Sequence, residues 1–365
     1  MEALHHGGIW FEVWLQKTMR GQADRFLSIT KVGDPDLLIL YLFPFVSAIN
    51  RTLFLRFVLA TAICDMVNNI LKWILHGERP YWYVYEHGMN DAASQLKQFS
   101  LTCETGPGSP SGHAMITASV WYIIVWAYIK YVVRQSRRRY KLSSGAWLLY
   151  AVLLVLVAIS RLYIATHFPH QVLLGSAIGL AVGWFFTKSP VKRLRMEHCL
   201  FLTLFLSITA AIVYSAMLAM GVDPHWSVQL ALKWCQNREW VHLNTSPLNA
   251  LFRDTGAIVG LGWAVESRFF VDTTYDIHRD GSEVITAVVS FLLVQLCASI
   301  PRPISNLYLY YMATFIQNMS ISFVSVALVP FVVRTIWNLN QFPKTVVDTH
   351  LDQGPRSKRK LTAYF

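Results

Sequence analysis

Long apolar runs separated by short polar loops set the pattern of this chain. The runs cover about 26–48, 52–75, 112–133, 147–166, 171–187, 200–220, 248–265, 284–300 and 308–337. Each is close to the ~20 residues needed to cross a bilayer core as a helix. A backbone in lipid must satisfy its own hydrogen bonds, so the pattern predicts an all-α polytopic membrane protein with about nine transmembrane helices. The first run is interrupted by Lys31, Asp34 and Asp36, and that half is expected to face protein or a cavity. The residues before it, up to Arg25, are amphipathic, with Trp10, Phe11 and Trp14, and lack the continuous apolar core of a signal peptide. No repeat and no linker interrupts the series, so residues 1–365 read as a single integral-membrane domain.

Composition agrees. The 365 residues are 54% hydrophobic and 15% charged, which excludes an ordinary soluble domain. The mean hydropathy of +0.38 points the same way. A net charge of +11 would suggest nucleic acid in a soluble protein, but here the basic residues fall in short loops and act as topology signals, so no nucleic-acid partner is expected. Arg51 and Arg56, then Arg134, Arg137, Arg138, Arg139 and Lys141, then Lys188, Lys192, Arg193 and Arg195, and finally Arg356, Lys358, Arg359 and Lys360 fall on one side if there are about nine spans. That side reads as cytoplasmic, with a basic tail at 340–365. The N-terminal segment 1–25 then lies on the opposite side. The five cysteines form no disulfide framework: Cys64, Cys199 and Cys297 lie in apolar runs, while Cys103 and Cys235 lie in loops and their pairing stays open. Sequons stand at Asn50, Asn244 and Asn318, of which only Asn244 falls in a loop on the non-cytoplasmic side.

The candidate chemistry gathers on that same non-cytoplasmic side. Cys103-Glu104-Thr105-Gly106-Pro107-Gly108-Ser109-Pro110-Ser111-Gly112-His113 is a small-residue loop running into an apolar segment. A helix starting near Ser111 leaves its first N–H groups unpaired and makes an anion site, with Gly112 permitting close approach and His113 adding a titratable group. Lys72 and Arg79 are seven residues apart, which on one helix places both on one face, with Pro80 ending that helix. Arg161 ends an apolar run and needs a partner or a wet cavity, and His167 follows it just before Pro169. Three cations, a helix N-terminus and two histidines, with no Asp/Glu/Cys set at metal-ligand spacing, suit metal-free phosphate-ester chemistry. In that chemistry His167 is placed as nucleophile and His113 as general acid and base. Lys72, Arg79, Ser111, Gly112 and Arg161 bind the phosphate.

The order K-x6-RP, PSGH, SR-x5-H resembles the type 2 phosphatidic acid phosphatase superfamily, which includes vanadium haloperoxidases. The segments KWILHGERPYW, CETGPGSPSGHAM, SRLYIATHFPHQV and KWCQNREWVH resemble glucose-6-phosphatase catalytic subunits more closely. The resemblance implies a helical core of that superfamily and hydrolysis of glucose 6-phosphate at the lumenal face of the endoplasmic reticulum. It also implies no cofactor, and as partners membrane lipid and a separate glucose-6-phosphate transporter. It gives His167 and His113 the same roles. One departure stands out: the wider superfamily places an Asp four residues after the nucleophilic His, and this chain has Gln171. That favours the glucose-6-phosphatase branch over lipid phosphatases and leaves open what orients His167. A phosphate transporter is disfavoured because the cations gather at one face and not at the midplane.

Overall fold

The computed structural model describes residues 2–241, 245–274, 281–303 and 306–348. The sequon at Asn244 and residues 349–365 of the basic tail lie outside them. An amphipathic helix α1 (Glu2–Thr18) precedes a broken span. That span consists of α2 (Ala23–Thr30), a tight turn over Lys31–Gly33, a short α3 (Pro35–Leu37), a widened turn over Leu38–Leu42 and α4 (Phe43–Ile49). Its two halves, Ala23–Gly33 and Pro35–Ile49, are bent by 64°. Pro35 cannot continue the ladder from the preceding turn, and the Asp34 carboxylate accepts from the Asp36 N–H at 2.9 Å to start the new half. Next come α5 (Arg51–Leu75), α6 (Pro80–Glu86), α7 (Asn90–Ala93), α8 (Gly112–Tyr131), α9 (Arg139–Tyr163), α10 (Pro169–Lys188), α11 (Met196–Ala219) and α12 (Trp226–Trp234). The chain closes with α13 (Pro247–Glu266), α14 (Arg268–Thr274), α15 (Ser282–Ser299), α16 (Leu307–Phe323) and α17 (Val329–Asp348).

Among the described residues seven helical segments are long and apolar enough to cross a membrane, or eight with the bent pair, so the expected count of about nine is corrected. The difference is the run 248–265. It forms α13, but its glycines and Arg253-Asp254 keep it below the apolarity of a lipid-facing span. It nevertheless runs the depth of the bundle. Near its start Thr245 meets Thr105 at 3.1 Å, and at its end Glu266 accepts from the Met196 N–H at 2.9 Å. A helix surrounded by α5, α11 and α16 faces protein and tolerates charges that lipid would not.

Small residues let two pairs of helices approach closely. On α10, Cβ atoms added at Gly175, Gly179 and Gly183 would strike the carbonyls of Ser111, Met115 and Ser119 on α8. The four-residue step on both helices makes a backbone-to-backbone seam, the small-xxx-small packing of membrane bundles. Gly256 and Gly260 of α13 meet Phe315 and Met319 of α16 in the same way.

The other sequons are structural. Asn50 caps α5 by accepting from the Leu53 N–H at 2.8 Å, and Asn318 is buried, donating to the Thr314 carbonyl at 2.8 Å. At the end where α5 and α9 finish and α8 and α10 begin, α1 lies across the bundle. Gln16 of α1 donates to the Tyr163 carbonyl at 2.7 Å and accepts from the Lys97 N–H at 2.9 Å. His5 stacks on Phe168 with centroids 4.5 Å apart.

Candidate active site

Four helix ends define the site. Helix α5 stops at Leu75, because His76 enters the left-handed region at φ 45°. Pro80 is the first residue of α6, not the terminator of α5, and Arg79 is its cap. The expectation that Lys72 and Arg79 share one continuous helix face is therefore corrected. They converge because the chain turns at His76–Glu78 and carries Arg79 back over the loop 103–111. Both side chains are buried. Arg79 is held by three carbonyls: Nε donates to Gly106 at 2.7 Å, Nη2 to Pro107 at 3.2 Å and Nη1 to Thr166 at 3.1 Å. Lys72 lies against the same loop, with its ammonium 3.5 Å from where a Cβ at Gly106 would stand.

The loop itself is tied from every side. Cys103 is joined to Cys235 by a disulfide, with Cα atoms 5.9 Å apart, which resolves the open pairing. The Gly108 N–H donates to the Gly77 carbonyl at 2.6 Å. Asn68 donates to the Pro110 carbonyl at 3.0 Å, and the Ser111 N–H to the Gln171 carbonyl at 3.1 Å. Ser111 caps α8 and Gly112 is its first residue, as the sequence predicts. The buried Ser111 hydroxyl has no partner.

Helix α9 ends at Tyr163, and Ala165 at φ 55° turns the chain so that His167 faces the loop. Arg161 and His167 are both 0% exposed, so neither is an interfacial cation reaching for water. Arg161 donates through Nη1 to Thr30 Oγ1 at 2.8 Å and through Nη2 to Glu104, while its Nε is left without a partner.

His167 answers the question raised by Gln171. Its Nδ1 lies 2.7 Å from the Gly108 carbonyl, and its Nε2 is 3.4 Å from Arg79 Nη1. A carbonyl only accepts and an arginine only donates, so the proton sits on Nδ1 and Nε2 carries the free lone pair. The Gly108 carbonyl thus fixes the tautomer and orientation of the His167 ring. Gln171 does not touch His167. It links the surrounding segments, donating to the Glu78 carbonyl at 2.7 Å and accepting from the Phe168 N–H at 3.1 Å. A side chain at 108 would strike both the Glu78 carbonyl and the Gln171 amide. Burial, then Arg79 and Arg161, hold the His167 imidazole well below the usual histidine range, so it is neutral near pH 7.

Sequence reasoning assigns Glu104 no role, and the structure puts it at the centre. Its carboxylate pairs with Arg79 at 3.1 Å and with Arg161, and lies 3.7 Å from His113 Nδ1 and 3.8 Å from His167 Nε2. Burial alone would raise its pKa, but Arg161 and Arg79 outweigh burial and hold it well below the carboxylate range. A signal exists in the sequence: Glu104 is the one charged side chain in 103–112. Thr30, the partner of Arg161, carries no such signal.

The site therefore brings together all seven expected residues. Arg79 and Arg161 pair with the one carboxylate and Lys72 lies against the same loop, an excess of two positive charges that matches a phosphate monoester dianion. Orphaned donors at Ser111 and Arg161 add to the first-turn N–H groups of α8, and two imidazoles stand on either side. Among the described residues no group of three His, Cys, Asp or Glu is arranged to hold a metal ion.

The arrangement is that of a phosphatase, and the comparisons agree. Residues 53–195 match the PAP2 superfamily, a stretch that contains every residue named for catalysis and phosphate binding. The chain is 35% identical over 350 residues to human glucose-6-phosphatase 2, covering 92% of this chain and 98% of that one. It is 35% identical to glucose-6-phosphatase catalytic subunit 1 of Haplochromis nubilus, with 92% and 97% covered. Human glucose-6-phosphatase 3 is 33% identical, with 92% and 96% covered. The chain belongs to the glucose-6-phosphatase family of multi-pass membrane phosphatases. No solved structure matches.

Proposed function

We propose that this protein hydrolyses glucose 6-phosphate to glucose and inorganic phosphate through a phosphohistidine on His167, at the lumenal face of the endoplasmic reticulum membrane. The observation that carries the reading is the Arg79–Arg161 clamp closed on a carboxylate, with the unprotonated Nε2 of His167 3.8 Å from that carboxylate. The Glu104 carboxylate stands where a phosphoryl group would be held. An entering phosphate dianion takes over both guanidiniums and Glu104 moves to His113, whose Nδ1 is already 3.7 Å away.

In the first step His167 Nε2 attacks phosphorus, the bond to the sugar oxygen breaks, and His113 gives that oxygen its proton. In the second step His113 takes a proton from water, the water oxygen attacks phosphorus, and the phosphorus–nitrogen bond breaks to release phosphate. Lys72, Arg79, Arg161 and the N–H groups of α8 stabilise charge on the non-bridging oxygens, the part a metal plays elsewhere. The glucose-6-phosphatase relatives support the sugar phosphate as substrate.

Lumenal placement is supported by the basic loops at the opposite end of the bundle. It is also supported by the Cys103–Cys235 disulfide beside the site, which suits an oxidising compartment. The N-terminus then shares the lumenal side and the basic tail at 340–365 is cytoplasmic. The test is phosphate release by purified protein from glucose 6-phosphate against other sugar and lipid phosphates, with and without EDTA. A thiol-reactive probe at position 109 in sealed microsomes checks orientation. Labelling from outside without permeabilisation, or activity that requires added Mg²⁺ or Zn²⁺, counts against the proposal.

A further inference from the structure

The bend of the first span leaves a cavity on the outside of the bundle. It has a volume of about 340 Å³ and runs between the second half of the span and α8. Leu37, Tyr41, Leu42 and Phe45 of the span and Trp121 of α8 line it, and Lys31 is the one charged residue in the lining. Tyr41 is 51% and Phe45 43% exposed, so the groove opens toward the surroundings. In a multi-pass membrane protein those surroundings are acyl chains. Lys31 is exposed, and the nearest carboxylate along the chain, that of Asp34, is turned to the Asp36 N–H instead. An apolar groove with a single cation in its lining complements an amphiphile with an anionic head. We propose that the groove binds one chain of an anionic glycerophospholipid, with the phosphate of its headgroup on Lys31.

The groove is joined to the site. The turn Lys31–Gly33 supplies Lys31 and Val32 to its lining. On one flank of that turn Thr30 accepts from Arg161 at 2.8 Å. On the other, Gly33 packs against the backbone of His113, where a Cβ would lie 2.8 Å from the His113 carbonyl oxygen. Trp121 donates to the Val32 carbonyl at 3.5 Å and closes the loop between groove and turn. Lipid seated in the groove therefore braces the turn that positions both the phosphate clamp and the second imidazole. This consequence rests on the function proposed above; the binding itself does not.

The test uses the full chain in phosphatidylcholine nanodiscs doped with either phosphatidylserine or phosphatidylcholine carrying a photoactivatable group on the acyl chain. Crosslinks are mapped by mass spectrometry. The expected result is several-fold more labelling of 37–45 and Trp121 by the serine lipid. Lys31→Glu should abolish that preference, and Leu42→Trp, which fills the groove, should abolish labelling there by both lipids. Labelling of the outer face of α9 should be the same in all samples. Equal labelling by the two lipids, labelling that survives Leu42→Trp, or a protein–protein crosslink through Tyr41 and Phe45 would each overturn the proposal. Lys31→Glu lies at the surface and tests the headgroup even where Leu42→Trp misfolds. Phosphate release should rise with the serine lipid in the wild type and stay flat in Lys31→Glu. Labelling without that rise overturns the link to the site, and a chain that hydrolyses no sugar phosphate still reports on binding through the crosslinks.

Discussion

Two buried ionic clusters lie in this bundle, and they are opposites. At the active-site end two guanidiniums, Arg79 and Arg161, pair with Glu104, and a third cation, Lys72, lies against the same loop. Around α13 one cation meets three carboxylates: Arg253 binds Asp36 at 2.8 Å, Asp254 at 3.2 Å, and Asp65. The first cluster is built on loops and helix ends, has unpaired donors and an excess of positive charge. It is organised to receive something. The second joins three elements, the bent first span, α5 and α13, through a single guanidinium whose nitrogens are all engaged. It is organised to hold helices together. Burial of charge is costly in both cases, and what separates a site from a staple is which partner is missing.

The largest expected effect lies in the first cluster. His167→Ala removes the covalent route, so radiolabelled substrate quenched in alkali should leave no label on protein. His113→Ala should lower turnover by roughly 10²–10⁴-fold, the usual worth of a general acid. It should still form the intermediate with a substrate whose leaving group needs no proton. Label on His167→Ala and none on His113→Ala would reverse the assignment.

In the second cluster, Arg253→Met strands the buried carboxylates of Asp65 and Asp254 and frees the part-exposed Asp36, and should cost about 3–5 kcal/mol of stability, read as a lower thermal midpoint in detergent. Replacing the cluster together, Asp65→Asn, Arg253→Met and Asp254→Asn, should recover most of that loss. The parallel neutral set at the first cluster, Arg79→Met, Glu104→Gln and Arg161→Met, should keep the fold and never recover activity. Recovery of activity there would erase the distinction between the two regions.

Glu104→Gln is a finer probe. Weakening the internal anion should tighten binding of vanadate or inorganic phosphate while turnover falls. Unchanged anion affinity would show that Glu104 does not compete for the clamp. The variant should also change stability against pH. Because the folded-state pKa of Glu104 lies well below its unfolded value, its stabilisation is present above the unfolded pKa and is lost as pH falls toward the folded one. That acid-side loss should vanish in Glu104→Gln.

The smallest effect is expected at Glu12 in α1. It is fully buried with neither oxygen partnered, and burial raises its pKa well above the carboxylate range. For a raised carboxyl, stability is fully present below the unfolded pKa and is lost as pH rises through the folded one. Between those two values the loss runs at about 1.4 kcal/mol for each step of one in pH. Glu12→Gln should therefore stabilise the protein near neutral pH and flatten this dependence, measured as thermal midpoint across pH. A midpoint lowered at neutral pH would show that Glu12 is ionised and paired.

Much of this is legible in the residues alone. The spans follow from period and length, and Arg161 announces itself because an arginine after a long apolar run needs a reason. Lys72 and Arg79 come together, but not as their spacing suggests: helical spacing predicts a shared face, whereas a left-handed His76 breaks the helix and the turn brings them near one loop. What stays hidden has a physical cause in each case. The group that orients His167 is a main-chain carbonyl at Gly108, and side-chain identity carries no mark of it. Glu104 sits in a loop without periodicity, so only its isolation among small residues hints at a role. The count of spans errs at α13, since hydropathy measures fitness for lipid and that helix faces protein.

The seam between α8 and α10 carries a consequence for how damage would spread. His113 rides at the start of α8, and His167 stands two residues before α10 begins. The gap between the two imidazoles is therefore set by the register of two membrane helices, and Gly175, Gly179 and Gly183 act as the teeth of that ratchet. A single methyl on any tooth pries apart two groups that, in the proposed mechanism, serve one phosphorus atom. Lesions deep in the bilayer, far from any substrate, would then surface as slow chemistry in a protein that folds, reaches its membrane and binds its ligand.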